Sequence, residues 1–254
     1  MCRHLAWVGE PVTLASLILE APHSLLHQSF APRHQTHGVV NADGFGVGWY
    51  IDDRAEPVRY RRAQPIWGDA SFASLAPTIS SRCLLGAVRD ATPGFAASDE
   101  SSNAPFTHGR WLFSLVGALA DWTQARGRLL ERGLGTAEAA APVDSALLFG
   151  VAVAAWTAGA SLGEGLAETV AAGQAVGGGR LSFLATDGER LAGTSSGDPL
   201  FSHESTAGVL LASEPLDESD GWRRLPADCL VEGDRDGIRT TPLDTRPQPR
   251  MEPR

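Results

Sequence analysis

The sequence predicts an α+β domain in which two packed β-sheets are covered by helices. Three observations carry that prediction. Strand-like apolar runs occupy both ends of the chain, and helix-like segments lie between them. One central segment, 143–157, is apolar almost all round a helix, so it has to be sandwiched between layers. Two Asp-Gly pairs, Asp187-Gly188 and Asp236-Gly237, fall between short strand-like runs, a strong hairpin pattern.

The elements follow in order. Residues 4–8 read as a short strand and 14–20 as a short helix. Residues 45–51 and 58–62 form a hairpin around Asp52-Asp53. Residues 83–89 and 111–116 are apolar runs of strand type. A helix over 121–132 has Asp121 as its N-cap, and the apolar helix 143–157 comes next. A Gly/Ala-rich stretch holds a weaker helix over 162–172 and then the loop Gly177-Gly178-Gly179. Strands resume at 181–186, 190–194, 208–213, 229–232 and 238–241. Short linkers place residues 2–241 in one domain. The tail 242–254 holds four prolines and no apolar pattern, so disorder is expected there.

Composition narrows the function. The chain of 254 residues is long enough to bury a sizeable core. Its 43% hydrophobic and 20% charged residues are those of an ordinary soluble globular protein. A net charge of -9 without a Lys/Arg-rich run argues against nucleic acid as a partner. The longest apolar run, 146–160, is short of the ~20 residues that span a bilayer, so no membrane partner is expected. Met1-Cys2-Arg3-His4 leads into an apolar stretch that Glu10 and Pro11 interrupt, unlike a signal peptide. The three cysteines lack framework spacing and suit reduced thiols in the cytoplasm. His34 lies near His37, and His4 near Cys2. No Cys-x-x-Cys or His-Glu-x-x-His pattern joins them, so no metal is expected. The triple glycine is followed by no Gly-Lys-Ser/Thr, and no cofactor is called for. The sequence leaves a homo-oligomer open.

Cys2 is the most informative residue. Methionine aminopeptidases remove Met1 before a small residue, and the chain then begins with a thiol and a free α-amine on one residue. The amine has an ordinary pKa near ~8 and the thiol near ~8.5. The amine can therefore take the thiol's proton and later return it to a leaving nitrogen. A lone Cys2 is more often incidental than catalytic, so its company matters. The glycine-studded segment Asn41-Ala42-Asp43-Gly44-Phe45-Gly46-Val47-Gly48 lets backbone approach a ligand or another strand closely. Arg89 ends an apolar strand and can grip a carboxylate with two hydrogen bonds, or make a surface ion pair. Asp144 stands at the expected N-cap of the apolar helix, where it can hold an ammonium group or simply cap. A thiol, a carboxylate clamp and an ammonium clamp together describe a pocket for the α-amino acid end of a γ-glutamyl group.

Met1-Cys2-Arg3, Asn41 to Gly46, Val88-Arg89-Asp90-Ala91-Thr92 and Val143-Asp144-Ser145 resemble class II glutamine amidotransferase domains in order and spacing. Within these, the chain resembles the γ-glutamyl hercynylcysteine sulfoxide hydrolases of ergothioneine biosynthesis. Further matches are His23-Ser24-Leu25, Gln28-Ser29, Pro105-Phe106, Gly109 to Ser114, and Ser213-Glu214-Pro215-Leu216. The resemblance covers roughly residues 2 to 240. It implies the four-layer αββα sandwich of N-terminal-nucleophile hydrolases. It implies that Cys2 is the nucleophile and that Arg89, Thr92 and Asp144 bind the glutamyl end. It implies cleavage of a small-molecule γ-glutamyl amide to glutamate and hercynylcysteine sulfoxide. That substrate bears a trimethylammonium group, so one of Trp7, Trp49, Trp67 or Tyr50 is expected to wall the pocket.

One departure stands out. After Phe113-Ser114 the family continues His-Asn-Gly, and here the residues are Leu115, Val116 and Gly117. The family's Asn side chain and the Gly N–H stabilise the oxyanion. Gly117 retains its half, whereas Val116 has no donor, a loss that typically costs ~10²–10³ in rate. Three readings stay open at this stage. The chain is a stand-alone hydrolase, a glutaminase subunit of an amidotransferase, or an impaired binding paralogue. The sequence holds no fused synthase segment, which favours hydrolysis.

Overall fold

The computed structural model describes residues 2–35, 37–91, 99–131 and 136–244. Two antiparallel sheets pack face to face. The first contains β1 (Arg3–Thr13), β2 (Gly44–Trp49), β3 (Val58–Arg62), β4 (Ser80–Arg89), β9 (Phe201–Ser205), β10 (Gly208–Ala212) and β11 (Trp222–Arg224). Its order is β11-β9-β10-β1-β4-β2-β3. The second contains β5 (Phe106–His108), β6 (Trp111–Leu119), β7 (Gly179–Thr186), β8 (Leu191–Ser195), β12 (Cys229–Asp234) and β13 (Gly237–Pro242). Its order is β13-β12-β8-β7-β6-β5.

Period-two alternation distributes the side chains into three apolar layers. From β1, Leu5 and Trp7 point outward to meet Leu14, Ile18 and Phe72, while Ala6 and Val8 point inward to meet Leu112 and Leu184 of the other sheet. The outer face of the first sheet is covered by short helices, α1 (Leu25–Gln28) and α2 (Ala70–Leu75). The second sheet is covered by α3 (Trp122–Leu130), α4 (Asp144–Thr157) and α5 (Leu162–Ala175). The result is the helix–sheet–sheet–helix sandwich that the sequence predicts. Eleven of the 14 residues of α4 are buried, as its all-round apolarity requires. Asp121 caps α3 by accepting from Gln124 N–H at 3.0 Å. A capping box between Ser161 and Glu164 starts α5, which runs three residues beyond the expected 162–172.

Several elements differ from expectation. β1 continues past Val8 to Thr13, with a register shift between Val8 and Val12. Pro11 lies in that irregular stretch, where its missing N–H is tolerated. The helix expected over 14–20 is present, but its Ser16–Glu20 part is wound as a wide turn, closed by Ala21 N–H to Ser16 O at 3.1 Å. The strand β13 ends at Pro242 and Leu243 packs against the core beyond it. The rest of the proline-rich tail, 245–254, lies outside the described residues.

The glycines of β2 are placed by the approach of the two sheets. Phe45, Val47 and Trp49 enter the outer core, so Gly44, Gly46 and Gly48 face the second sheet. A Cβ at Gly46 would lie 2.4 Å from Ala104 O, and one at Gly48 would lie 2.7 Å from Leu112 Cδ1. Gly46→Ala should therefore cost about 1–3 kcal/mol, because the 102–105 backbone has to retreat. Equilibrium urea unfolding measures this, and an unchanged midpoint would contradict the packing described.

Candidate active site

Cys2, Arg89, Gly117 and Asp144 line one cavity of about 410 Å³. Each arrives from a different element. Cys2 immediately precedes β1 and is partly exposed, with Sγ 4.0 Å from Asp90 O. Burial of its surroundings pushes the thiol above its ordinary value, against the opposing pull of the chain's terminal amine and Arg89. At neutral pH the thiol therefore rests protonated and needs a base.

Arg89 is the last residue of β4, sits opposite Gly44 in register, and is 7% exposed, so it is no ordinary surface ion-pair residue. The Asn41–Gly46 motif fastens this strand end. Asp43 N–H donates to Arg89 O at 3.0 Å, and Asp43 Oδ2 accepts from Ala91 N–H at 2.7 Å. Asn41 is fully buried, and its Nδ2 donates to Gln28 O and to Gln35 Oε1, both at 3.0 Å.

Asp144 corrects one expectation. The N-cap of α4 is Val143, without a side-chain cap bond, and Asp144 is the first helical residue. Its Oδ1 accepts from Ser145 N–H at 2.8 Å and its Oδ2 from Leu119 N–H at 2.9 Å. The carboxylate thus ties the helix start to the end of β6 rather than capping in the usual way. Burial raises its pKa, while these N–H groups and Arg89 pull it down. An ammonium group in the cavity would favour its ionised form.

Gly117 has φ +133°, and a Cβ there would lie 1.9 Å from Arg180 O, so no larger residue fits. Val116 is fully buried and is not a lining residue of the cavity. By alternation it shares a face of β6 with Ser114, whose Oγ is 2.7 Å from His4 Nδ1 across the two sheets. Thr92, the remaining expected ligand, lies outside the described residues.

The expected aromatic wall is not made by the residues named for it. Trp7 and Trp49 alternate into the outer core, and Trp67 is 47% exposed on a short helix. Tyr50 Oη donates to Arg110 O at 2.6 Å. None of the four lines the cavity.

Two features of the lining went unread in the sequence. Ser102, Asn103 and Ala104 form one wall, and Arg180 of β7 forms part of another. Arg180 Nη1 lies 3.2 and 3.1 Å from the two oxygens of the buried Asp198 carboxylate. Following three glycines, Arg180 carried no motif that could mark it. His4 is held well below its ordinary pKa by burial and by Arg3, so it is a neutral link between the sheets. Among the described residues no group of three or more His, Cys, Asp or Glu could hold a metal. Cys83 and Cys229 are buried strand residues, as expected. No helix among the described residues is long and apolar enough to cross a membrane.

The raised thiol has a measurable consequence. In a chain that retains Met1, alkylation of Cys2 by iodoacetamide should accelerate with pH about a midpoint above that of a free cysteine. A midpoint below 7, read from the pH dependence of the labelling rate, would contradict it.

No family model matches the chain. Over 246 residues it is 44% identical to the gamma-glutamyl-hercynylcysteine sulfoxide hydrolase of Mycolicibacterium smegmatis, covering 96% of this chain and 100% of the relative. It is 42% identical over 251 residues to the protein of the same name from Mycobacterium tuberculosis, covering 98% and 100%. Among solved structures it is similar to a glutamine aminotransferase class-II domain protein from Silicibacter pomeroyi, with TM-score 0.69 and 22% identity over 95% of this chain and 99% of that one. It is also similar to the glutamine phosphoribosylpyrophosphate amidotransferase of B. subtilis, with TM-score 0.67 and 16% identity over 97% of this chain and 50% of that one. These two likenesses establish the shared fold of class II glutamine amidotransferases. The identity across nearly the whole of both chains goes further: this chain belongs to the gamma-glutamyl-hercynylcysteine sulfoxide hydrolase family.

Proposed function

We propose that the protein hydrolyses the γ-glutamyl amide of γ-glutamyl hercynylcysteine sulfoxide, giving glutamate and hercynylcysteine sulfoxide. The observation that carries this reading is the convergence of Cys2, Arg89, Asp144 and Gly117 on one cavity. Arg89 receives the α-carboxylate of the glutamyl group and Asp144 its α-ammonium, which presents the γ-carbonyl to Cys2. Thr92 completes the glutamyl site. With Met1 removed, the α-amine of Cys2 takes the thiol proton as Sγ attacks the carbonyl carbon. The oxyanion forms against the N–H of Gly117. Collapse breaks the C–N bond, and the ammonium returns its proton to the departing cysteine nitrogen. A water molecule then hydrolyses the thioester and releases glutamate.

Arg180 supports a substrate larger than glutamine. The leaving cysteine carries a carboxylate of its own, and Arg180 adds a second cation to the lining beside Arg89. Ammonia, the leaving group from glutamine, has no use for it. The three cysteines are free thiols, which supports a reducing cytoplasmic setting. Val116 supports slow turnover, because the oxyanion has one donor where the family supplies two.

Steady-state turnover of the γ-glutamyl sulfoxide and of glutamine tests this reading. The sulfoxide should have the higher kcat/KM, Cys2→Ala should abolish turnover of both, and Arg180→Gln should raise KM for the sulfoxide alone. A preference for glutamine would instead support a glutaminase subunit. Val116→Asn should raise kcat by up to ~10²-fold with KM little changed, its longer amide reaching the cavity that the Val116 side chain does not line. An unchanged kcat would mean that the side chain at 116 does not reach the oxyanion.

A further inference from the structure

Three of the motifs singled out in the sequence have no part in the proposed chemistry: Arg3, His23 and Glu214. They lie far apart in the chain, and the fold brings them together directly behind Cys2. Arg3 Nε donates to Cys2 O at 2.7 Å, and Arg3 Nη1 lies 3.2 Å from Glu214 Oε1. Glu214 Oε2 lies 2.8 Å from His23 Nε2 and accepts from Arg33 N–H at 2.7 Å. His23 Nδ1 in turn lies 2.8 Å from His27 Nδ1. Arg3 and Glu214 are fully buried and His23 is 1% exposed.

Burying three polar groups this deeply is costly for stability alone, since a well-packed apolar set often serves as well or better. What an apolar set could not do is hold a main-chain carbonyl by a charged donor. We propose that Arg3, Glu214 and His23 form a buried positioning network that fixes the main chain of Cys2, and with it the direction of its thiol. This rests on the reading of Cys2 as the nucleophile. The neighbouring strand completes the clamp. Ser213 N–H donates to His4 O at 2.9 Å, and His4 N–H donates to Ser213 Oγ at 3.0 Å. His4, on one side of Arg3, is thus fixed by Ser213, and the carbonyl of Cys2, on the other, is held by Arg3 itself. Burial would raise the Glu214 carboxyl, but His23, the Arg33 N–H and Arg3 outweigh it and keep it low, so the network stays charged at neutral pH.

Arg3→Lys separates positioning from stability. A lysine ammonium can still pair with Glu214, but it has no second, rigidly placed N–H for Cys2 O. The probe is 6-diazo-5-oxo-norleucine, whose labelling of Cys2 yields an inactivation rate constant and a binding constant separately. Arg3→Lys should keep the binding constant within about two-fold, because Arg89 and Asp144 are untouched, and lower the inactivation rate constant at least about ten-fold. Glu214→Asp, which keeps the charge but shortens the reach, should shift the same constant in the same direction. Should Arg3→Lys fail to fold, Glu214→Asp decides alone. Folded variants labelled as fast as the parent would overturn the network's role. Absence of labelling at Cys2 in the parent protein would overturn the nucleophile reading instead, so the two failures are distinguishable.

Discussion

β1 begins one residue after the proposed nucleophile and runs through the centre of the seven-stranded sheet, between β4 and β10. Chain termini usually fray, because few contacts hold them. Here that strand lies at the centre of its sheet, and its side chains enter two of the three apolar layers. Cys2 therefore inherits the rigidity of the core while standing at its edge, where a cavity can form. The remaining site residues are placed relative to it. Arg89 ends the adjacent strand β4, and the Asn41–Gly46 turn is hydrogen-bonded to that same end.

The second requirement is that the layers come close without filling the site. Glycine meets it at two places. On β2 it admits the 102–105 segment, which becomes a wall of the cavity. On β6, Gly117 admits the backbone of β7 and leaves the site lined by main chain where a side chain would otherwise stand. The charges then complement a zwitterion. Arg89 and Asp144 come from different layers, and both are buried enough for their fields to act at close to full strength on a bound ligand. A free amino acid end carries the matching pair.

Much of this was legible in the sequence, for physical reasons that can be named. Strands with clean alternation, such as 45–51, and the all-round apolar helix 143–157 declared themselves because burial dictates their pattern. Cys2, Arg89 and Asp144 were legible as a thiol, a cation and an anion that could share a pocket, and the fold brings them to one cavity. α1, β5 and β11 were not, being three or four residues long and shorter than any period. β1 was cut short by Pro11, since the sequence does not show the bulge that accommodates it. The tryptophans misled for a different reason: Trp7 and Trp49 alternate onto the helix-covered face, which no count of aromatics reveals. Arg180 joins the lining only through the pairing of β7 with β6, a long-range contact invisible to local pattern.

The central claim is that one residue, Cys2, supplies both thiol and amine. Intact-mass and peptide analysis of the purified protein after reaction with 6-diazo-5-oxo-norleucine tests it most directly. The account predicts a chain that lacks Met1 and carries a single adduct on Cys2, absent from Cys2→Ala. An adduct on Cys83 or Cys229, or Met1 retained on the labelled chain, would contradict it.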